Sequence, residues 1–334
     1  MALIDVHNHI LSKAWVDLLA AYGGQRYQIS RDPEGRTIVL RKGARFLGLT
    51  DAMFDPEMRL RAMDEVGVRT QLLSYTCPNC YWADGKAAET VVRTMNDHMA
   101  EVCARWPDRF RGLGSLPMQD VDLALKELER AVDQLGMVGF IILANVNETP
   151  LDDPRFEPIW AELNRRRLPV LLHPTVPPGA ELMGMNRYGL VPSLGFMFDT
   201  TLAVTRMILA GIFERYPDWP VIVGHTGATL PYLAGRLDIC YRFIPETRQG
   251  GITRPPSEYL KRLYYDTVTF DEHALHLAYQ LAGPRQILYG SDYPHVIGDM
   301  KGCADRITAL PIPEAEKELI RAGNARRLFG LPGQ

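Results

Sequence analysis

Eight short apolar runs recur along this chain, each followed by an amphipathic segment, and that alternation limits the folds open to it more than any other feature. The runs are expected at Leu3–Val6, Thr70–Ser74, Arg111–Leu116, Val138–Leu143, Pro169–His173, Pro220–His225, Leu263–Thr267 and Gln286–Asp292. Each is too short for a buried helix and rich in Val, Ile and Leu, as a strand covered on both faces should be. The segments between them carry helix signals. Asp55-Pro56-Glu57 places an N-cap, a first-turn proline and an acid at one helix start, and Gly67 stops that helix. Asp120 to Leu135 spaces Val121, Ala124, Leu125, Leu128 and Val132 along one face before Gly136. Strands alternating with helices specify a parallel sheet. Eight units in 334 residues predict a (β/α)8 TIM barrel. An open doubly wound sheet is the alternative, but no Gly-x-Gly-x-x-Gly turn or Walker-type loop follows any strand.

Nothing in the chain suggests a linker between two domains, so residues 1–334 are read as one barrel domain. Residues 23–50 break the pattern with Gly, Asp-Pro and short apolar groups, and are expected to form a small insertion of hairpin or loop character. Residues 174–192 form a long loop rich in Gly, Pro and Met, a length usually associated with function. The remaining helices are expected at 13–22, 87–106, 154–167, 200–216, 230–243, 272–282 and 312–328.

Composition narrows the partners. A net charge of −3 gives no basic surface for nucleic acid or an anionic membrane. No apolar run reaches the roughly 20 residues of a spanning helix, and no basic segment precedes the first strand, so a signal peptide is not expected. Five cysteines, an odd number, point to a reducing compartment and a cytoplasmic protein.

The chemistry concentrates where strands end. His7 and His9 close the first strand two residues apart, hence on one face. Neutral imidazoles on one face suit a divalent ion, and a buried apolar strand has little other reason to end in two polar rings. The fifth strand ends in His173, the sixth in His225, the seventh near Asp266 and the eighth in Asp292. Four of the eight histidines thus fall at the barrel mouth, where active sites of this fold are built. A single histidine of this kind is more often a hydrogen-bonded core residue; the gathering is what counts against chance. Cys77-x-x-Cys80 has no second cysteine pair to complete a zinc site and follows the second strand, where it can line a pocket. His98, His273 and His276 fall within helices and are read as structural or surface residues, whereas His295 follows the Asp292 turn and is a candidate substrate contact.

Asp5-Val-His7-Asn-His9, Leu172-His173-Pro174, Gly224-His225-Thr-Gly and Gly290-Ser-Asp292-Tyr-Pro294 together resemble the signature of the amidohydrolase superfamily. The nearest likeness is to the branch containing 2-amino-3-carboxymuconate-6-semialdehyde decarboxylase, and it extends to Asp55–Gly67, Leu113–Gln119 and Gly323–Ala325. The resemblance implies a distorted barrel with one divalent metal, usually zinc with manganese as the alternative. It implies His7, His9, His173 and Asp292 as ligands and His225 as the general base and acid. It also implies Arg59 and Arg236 as grips for substrate carboxylates, the latter donated across a homodimer. An Arg fork suits that bidentate task. The implied activity is non-oxidative decarboxylation of an unsaturated or aromatic carboxylic acid. Hydrolysis of a lactone, amide or ring C–N bond, hydration, and ligand binding without turnover are the other readings. The chain departs from the branch after strand five, where His173-Pro-Thr-Val-Pro-Pro178 replaces the usual His-Pro-Trp-Asp and opens the long loop. An open metal position beside three or four protein ligands is the catalytic rather than the structural arrangement.

Overall fold

The computed structural model describes residues 2–332. Its eight barrel strands are β1 (Leu3–His9), β2 (Val68–Ser74), β3 (Phe110–Ser115), β4 (Gly139–Leu143), β5 (Val170–His173), β6 (Val221–Val223), β7 (Tyr264–Asp266) and β8 (Ile287–Leu288). They pair in parallel and in sequence order. The seam between β8 and β1 is joined by backbone bonds: Val6 N donates to Tyr289 O at 2.9 Å, Asp292 N to His7 O at 2.8 Å and His9 N to Tyr293 O at 2.7 Å. The fold is the (β/α)8 barrel that the alternation predicts.

One apolar side chain from nearly every strand fills the interior. Ile4 and Val6, Leu72, Leu113, Ile141, Leu171, Ile222 and Leu288 pack together there, and Ala322, Ala325 and Phe329 of the last helices join the same cluster. The lower barrel is therefore packed rather than hollow, which leaves the C-terminal strand ends to form the site. On β1, Ile4 and Val6 face inward, and yet His7 and His9 must also turn to the mouth. Strict alternation forbids both. The register of β1 against β2 shifts between Asp5 and Asn8, and an irregularity of this kind re-aims side chains at a barrel rim.

The insertion is a three-stranded antiparallel sheet, Tyr27–Arg31, Thr37–Arg41 and Ala44–Gly48. Other boundaries differ from expectation in informative ways. The helix expected at 200–216 begins earlier and is broken: it runs Phe196–Leu209, then Gly211 at φ 74° introduces a short helix at Ile212–Arg215. A helix at Met300–Ala309, capped by the Asp299 side chain on Gly302 N, follows β8 and was not anticipated. The expected final helix divides into Glu314–Glu318 and Asn324–Phe329 with a wider turn between. β6 and β8 end before the residues of interest, so His225 and Asp292 sit on turns beyond the strands. Among the described residues no helix is long and apolar enough to cross a membrane.

Candidate metal centre

His7, His9, His173 and Asp292 come together at the mouth, with one ligand atom of each within 4.8 Å of all the others. All four side chains are buried. His9 Nε2 lies 3.1 Å and His7 Nε2 3.4 Å from Asp292 Oδ1.

The orientation of each ring follows from what holds its other nitrogen. His7 Nδ1 is 2.5 Å from Asp266 Oδ2, His9 Nδ1 is 3.2 Å from Ser74 Oγ, and His173 Nδ1 donates to Pro174 O at 2.7 Å. Fixing Nδ1 in this way leaves Nε2 free to face the centre. His7 Nε2 and His173 Nε2 are indeed buried without any hydrogen-bond partner. An orphaned buried nitrogen costs about 1–3 kcal/mol, and two of them facing one carboxylate are what a cation would satisfy. The donor set fits a divalent metal: three imidazoles and one carboxylate.

Electrostatics agree. Burial pushes the His9 imidazole down to about 3, against the pull of Asp292. Burial together with His9 and His7 holds His173 well below its ordinary value. Both rings are therefore neutral, the form that binds metal. Burial would raise Asp292, but the surrounding imidazoles of His295, His225, His7 and His9 outweigh it and hold its carboxyl far below the usual range. Burial also disfavours a charged His7, yet Asp266 and then Asp292 outweigh it and raise His7 to about 10. The proton retained on His7 stands where a cation would bind.

Asp266 organises the other side of the centre. Its Oδ2 accepts from His7 Nδ1 and from His225 N at 3.0 Å; its Oδ1 accepts from Thr226 N at 2.8 Å and Val268 N at 3.0 Å. The turn it holds is strained. His225, Thr226 and Ala228 all adopt φ 55°, unusual for any residue with a side chain and most of all for β-branched Thr226. The carboxylate over-determines that turn and so presents His225 to the mouth, with Nε2 3.8 Å from Asp292 Oδ2. Asp292 is itself at φ 58°. Sequence placed Asp266 at a strand end without assigning it a role, because its partners lie 41 and 259 residues away.

Asp266→Asn should expose this dependence. Asparagine has one acceptor oxygen where four donors converge, so two N–H groups would face an amide NH2. We expect metal affinity to fall about 10- to 100-fold, measured by competition with a chromophoric chelator, while circular dichroism still reports a folded barrel. Unchanged affinity would show that Asp266 does not support the centre.

A second buried network lies behind β1. Asp5 accepts from Gln71 Nε2 at 2.8 Å and Ser291 Oγ at 2.7 Å. Gln71 Oε1 accepts from Arg59 Nη1 at 2.9 Å, and the same guanidinium donates to Asn8 Oδ1 at 3.2 Å and to His9 O. Arg59 is thus placed elsewhere than expected. It is fully buried under the strand end that carries His9 and is not on the cavity wall. Its length and buried hydrogen bonds make it a brace for β1, with its guanidinium 5.0 Å from the Tyr293 ring centroid. Arg236 sits exposed on the helix Leu230–Phe243, also away from its own chain's cavity wall.

The cavity above the cluster is lined at its inner end by His173, His225, Asp292 and His295. His295 lies with its ring 4.9 Å from that of His9, its Nε2 2.9 Å from Thr76 Oγ1. All five cysteines are free; Cys77 lines this cavity and Cys80 is buried against Leu116 O. The 174–192 loop is tied down by Asp199, which accepts from Thr175 N and Asn145 Nδ2 at 2.9 Å each, and by a small cluster of Val176, Ala180 and Met185.

Comparison with known proteins agrees with this geometry. The family model described as Amidohydrolase matches residues 4–331. The chain is 32% identical to 2-amino-3-carboxymuconate-6-semialdehyde decarboxylase of Dictyostelium discoideum, over 98% of this chain and 91% of that one. Among solved structures it resembles 5-carboxyvanillate decarboxylase from Sphingomonas paucimobilis, with a TM-score of 0.86 and 28% identity over 99% of both chains. It also resembles a dihydroxybenzoic acid decarboxylase from Polaromonas sp. JS666, solved with manganese and the inhibitor 2-nitroresorcinol, at a TM-score of 0.84 and 29% identity over 100% of this chain and 98% of that one. With three histidines and an aspartate gathered at the mouth of a (β/α)8 barrel, and a family match along nearly its whole length, this chain belongs to the amidohydrolase family, within the branch that holds these decarboxylases.

Proposed function

We propose that the protein is a metal-dependent, non-oxidative decarboxylase of an aromatic or unsaturated carboxylic acid. The observation that carries this reading is the convergence of three imidazoles and Asp292 at the inner end of an open cavity, in a barrel whose relatives are named decarboxylases of such acids. His7, His9, His173 and Asp292 would hold one divalent ion. Zinc suits three nitrogen ligands, and manganese, present in the Polaromonas structure, is the alternative. When bound, the ion supplies Lewis-acid polarisation of substrate oxygen.

The remaining work falls to the chain. Decarboxylation replaces a C–CO2⁻ bond by C–H, so CO2 leaves and one proton must reach the carbon. His225 is the group placed to hold and move that proton: it faces the cavity beside Asp292, and its backbone is clamped by Asp266. Among the described residues of one chain, only Arg45 supplies a fixed cation to the cavity wall. This supports a homodimer in which Arg236 reaches the partner's site. The helix that carries Arg236 also exposes Tyr232, Ile239 and Phe243, a contiguous apolar presence suited to an interface. The family match from 4 to 331 supports one catalytic unit with the 23–50 insertion attached, and five free cysteines support a cytoplasmic setting.

Incubating the zinc- or manganese-loaded protein with a panel of hydroxybenzoates and carboxymuconates should release CO2 in step with loss of the acid. Turnover of lactones or amides without CO2 release would replace this reading by a hydrolytic one.

A further inference from the structure

The inserted sheet and the 174–192 loop supply no ligand to the metal centre, yet they enclose a pocket of their own. Its volume is about 400 Å³, within the roughly 300–1,000 Å³ of pockets that hold small molecules. It adjoins the catalytic cavity, since Arg45, Phe46 and Pro192 belong to the walls of both. Its described walls include no residue of the helix that carries Arg236, so the site does not draw on the dimer surface proposed there.

The floor of this pocket is apolar. Val176, Ala180 and Met185 are each 5% exposed, and Phe46 packs against them. The rim is cationic. Arg41 and Lys42, where the second inserted strand ends, share one half-exposed carboxylate, Glu181, at 3.1 and 2.8 Å. Arg45 lies 3.4 Å from Asp32, which already accepts from Arg36 at 2.8 Å. Behind Arg41 and Lys42 is a small polar niche with Arg26 and the buried Tyr27, which pairs across the strands with Arg41. Burial pushes the Tyr27 phenol up to about 12, so it keeps its proton and can donate. Glu148, at the edge of the niche, is exposed and stands 3.7 Å from Arg41, beyond hydrogen-bond reach. Ion pairs open to water in this way are weak, so a second carboxylate can enter between Arg41 and Lys42 at little cost. A neutral ligand would leave those cations unused, and a multiply charged polar one would gain nothing from the apolar floor.

We infer that this pocket is an accessory site for an apolar monocarboxylic acid of one ring, held by its carboxylate between Arg41 and Lys42 and by its body on Val176, Ala180, Met185 and Phe46. The inference does not need the decarboxylase reading; under that reading the ligand belongs to the substrate's own class and rests one layer of side chains from the catalytic cavity. The inserted sheet and the long loop then share a ligand rather than merely packing together.

Titration calorimetry on metal-loaded protein tests this with 3-phenylpropionate and, as its uncharged counterpart, 3-phenylpropanol. The acid should bind about tenfold or more tightly than the alcohol, because only the acid makes charge-assisted hydrogen bonds to Arg41 and Lys42. Ala180→Trp, which fills the floor, should abolish this binding and leave metal content and turnover within about twofold. Replacing Arg41 and Lys42 together by glutamine should weaken it about tenfold or more and serves as the independent variant should the tryptophan not fold. His173→Ala protein should keep the site, since none of the metal ligands lines it. No binding of the acid, equal binding of the alcohol, or binding that neither the tryptophan nor the double glutamine variant alters would overturn the inference. Binding lost in His173→Ala alone would place the acid in the catalytic cavity and overturn it too. The decarboxylase reading stands or falls separately, on release of CO2.

Discussion

His173→Ala should yield a folded barrel that retains little metal and shows no measurable turnover. The side chain ends β5 with Nδ1 donating to Pro174 O, so its Nε2 has a single direction available. That nitrogen is buried and has no protein partner. Burial and two neighbouring imidazoles keep the ring neutral, so it serves as a ligand and not as a charge. Removing it leaves His7, His9 and Asp292, and no other described residue belongs to the cluster to replace it. A lost ligand lowers affinity by more than the 10- to 100-fold typical of a supporting residue, and without the ion the chemistry it supplies is gone. The fold should survive, because the barrel interior is closed by Leu171, Ile222 and their neighbours, on a layer below. Metal content after dialysis, circular dichroism and CO2 release together check this. A variant that keeps one tightly held ion and full activity would remove His173 from the ligand set.

His225→Ala should have the opposite profile: metal kept, turnover lost by about 10²- to 10⁴-fold, the usual contribution of a positioned proton-transfer group. His225 Nε2 approaches Asp292 only to 3.8 Å, and the four-member ligand cluster forms without it. Its Nδ1 is buried and unpartnered, so that face has no structural bond to lose. Its backbone N–H is held by Asp266 in either case. The fall should appear in kcat, with KM little changed. If the ion is lost along with the activity, His225 is a ligand and the proton carrier lies elsewhere, with His295 the nearest alternative on the cavity wall.

These two variants separate residues that look alike in the sequence. His173 and His225 each follow an apolar run, and each sits at the mouth. What distinguishes them is where the chain stops being a strand. β5 runs through His173, so its ring points with the strand's own alternation. β6 ends at Val223, and His225 stands on a turn, at φ 55°, that Asp266 clamps through the backbone N–H groups of His225 and Thr226.

Much of the fold was legible because its determinants are local. Apolar runs of four to seven residues, capped helix starts such as Asp55-Pro56, and stops such as Gly67 depend on neighbours a few positions away. The helices at Lys13–Tyr22, Leu230–Phe243 and Glu272–Ala282 carry the expected bounds for that reason. The Met300–Ala309 helix was missed because its first turn follows a run of loop residues and its apolar side is slight. Arg59 was misplaced because a guanidinium near acidic residues reads the same from sequence whether it faces a substrate or Asn8, Gln71 and His9 O.

By itself the sequence determined the strand–helix alternation, hence the barrel, and put His7, His9 and His173 at strand ends and His225 and Asp292 just past them, because period and chain direction are properties of the covalent chain. Tertiary structure decided which nitrogen of each ring faces the centre, that Asp266 braces both His7 and His225, that Arg59 supports β1 from beneath, and how much apolar space lies above the metal site. Those are contacts between residues tens to hundreds of positions apart, and only closure of the barrel brings them within hydrogen-bond reach.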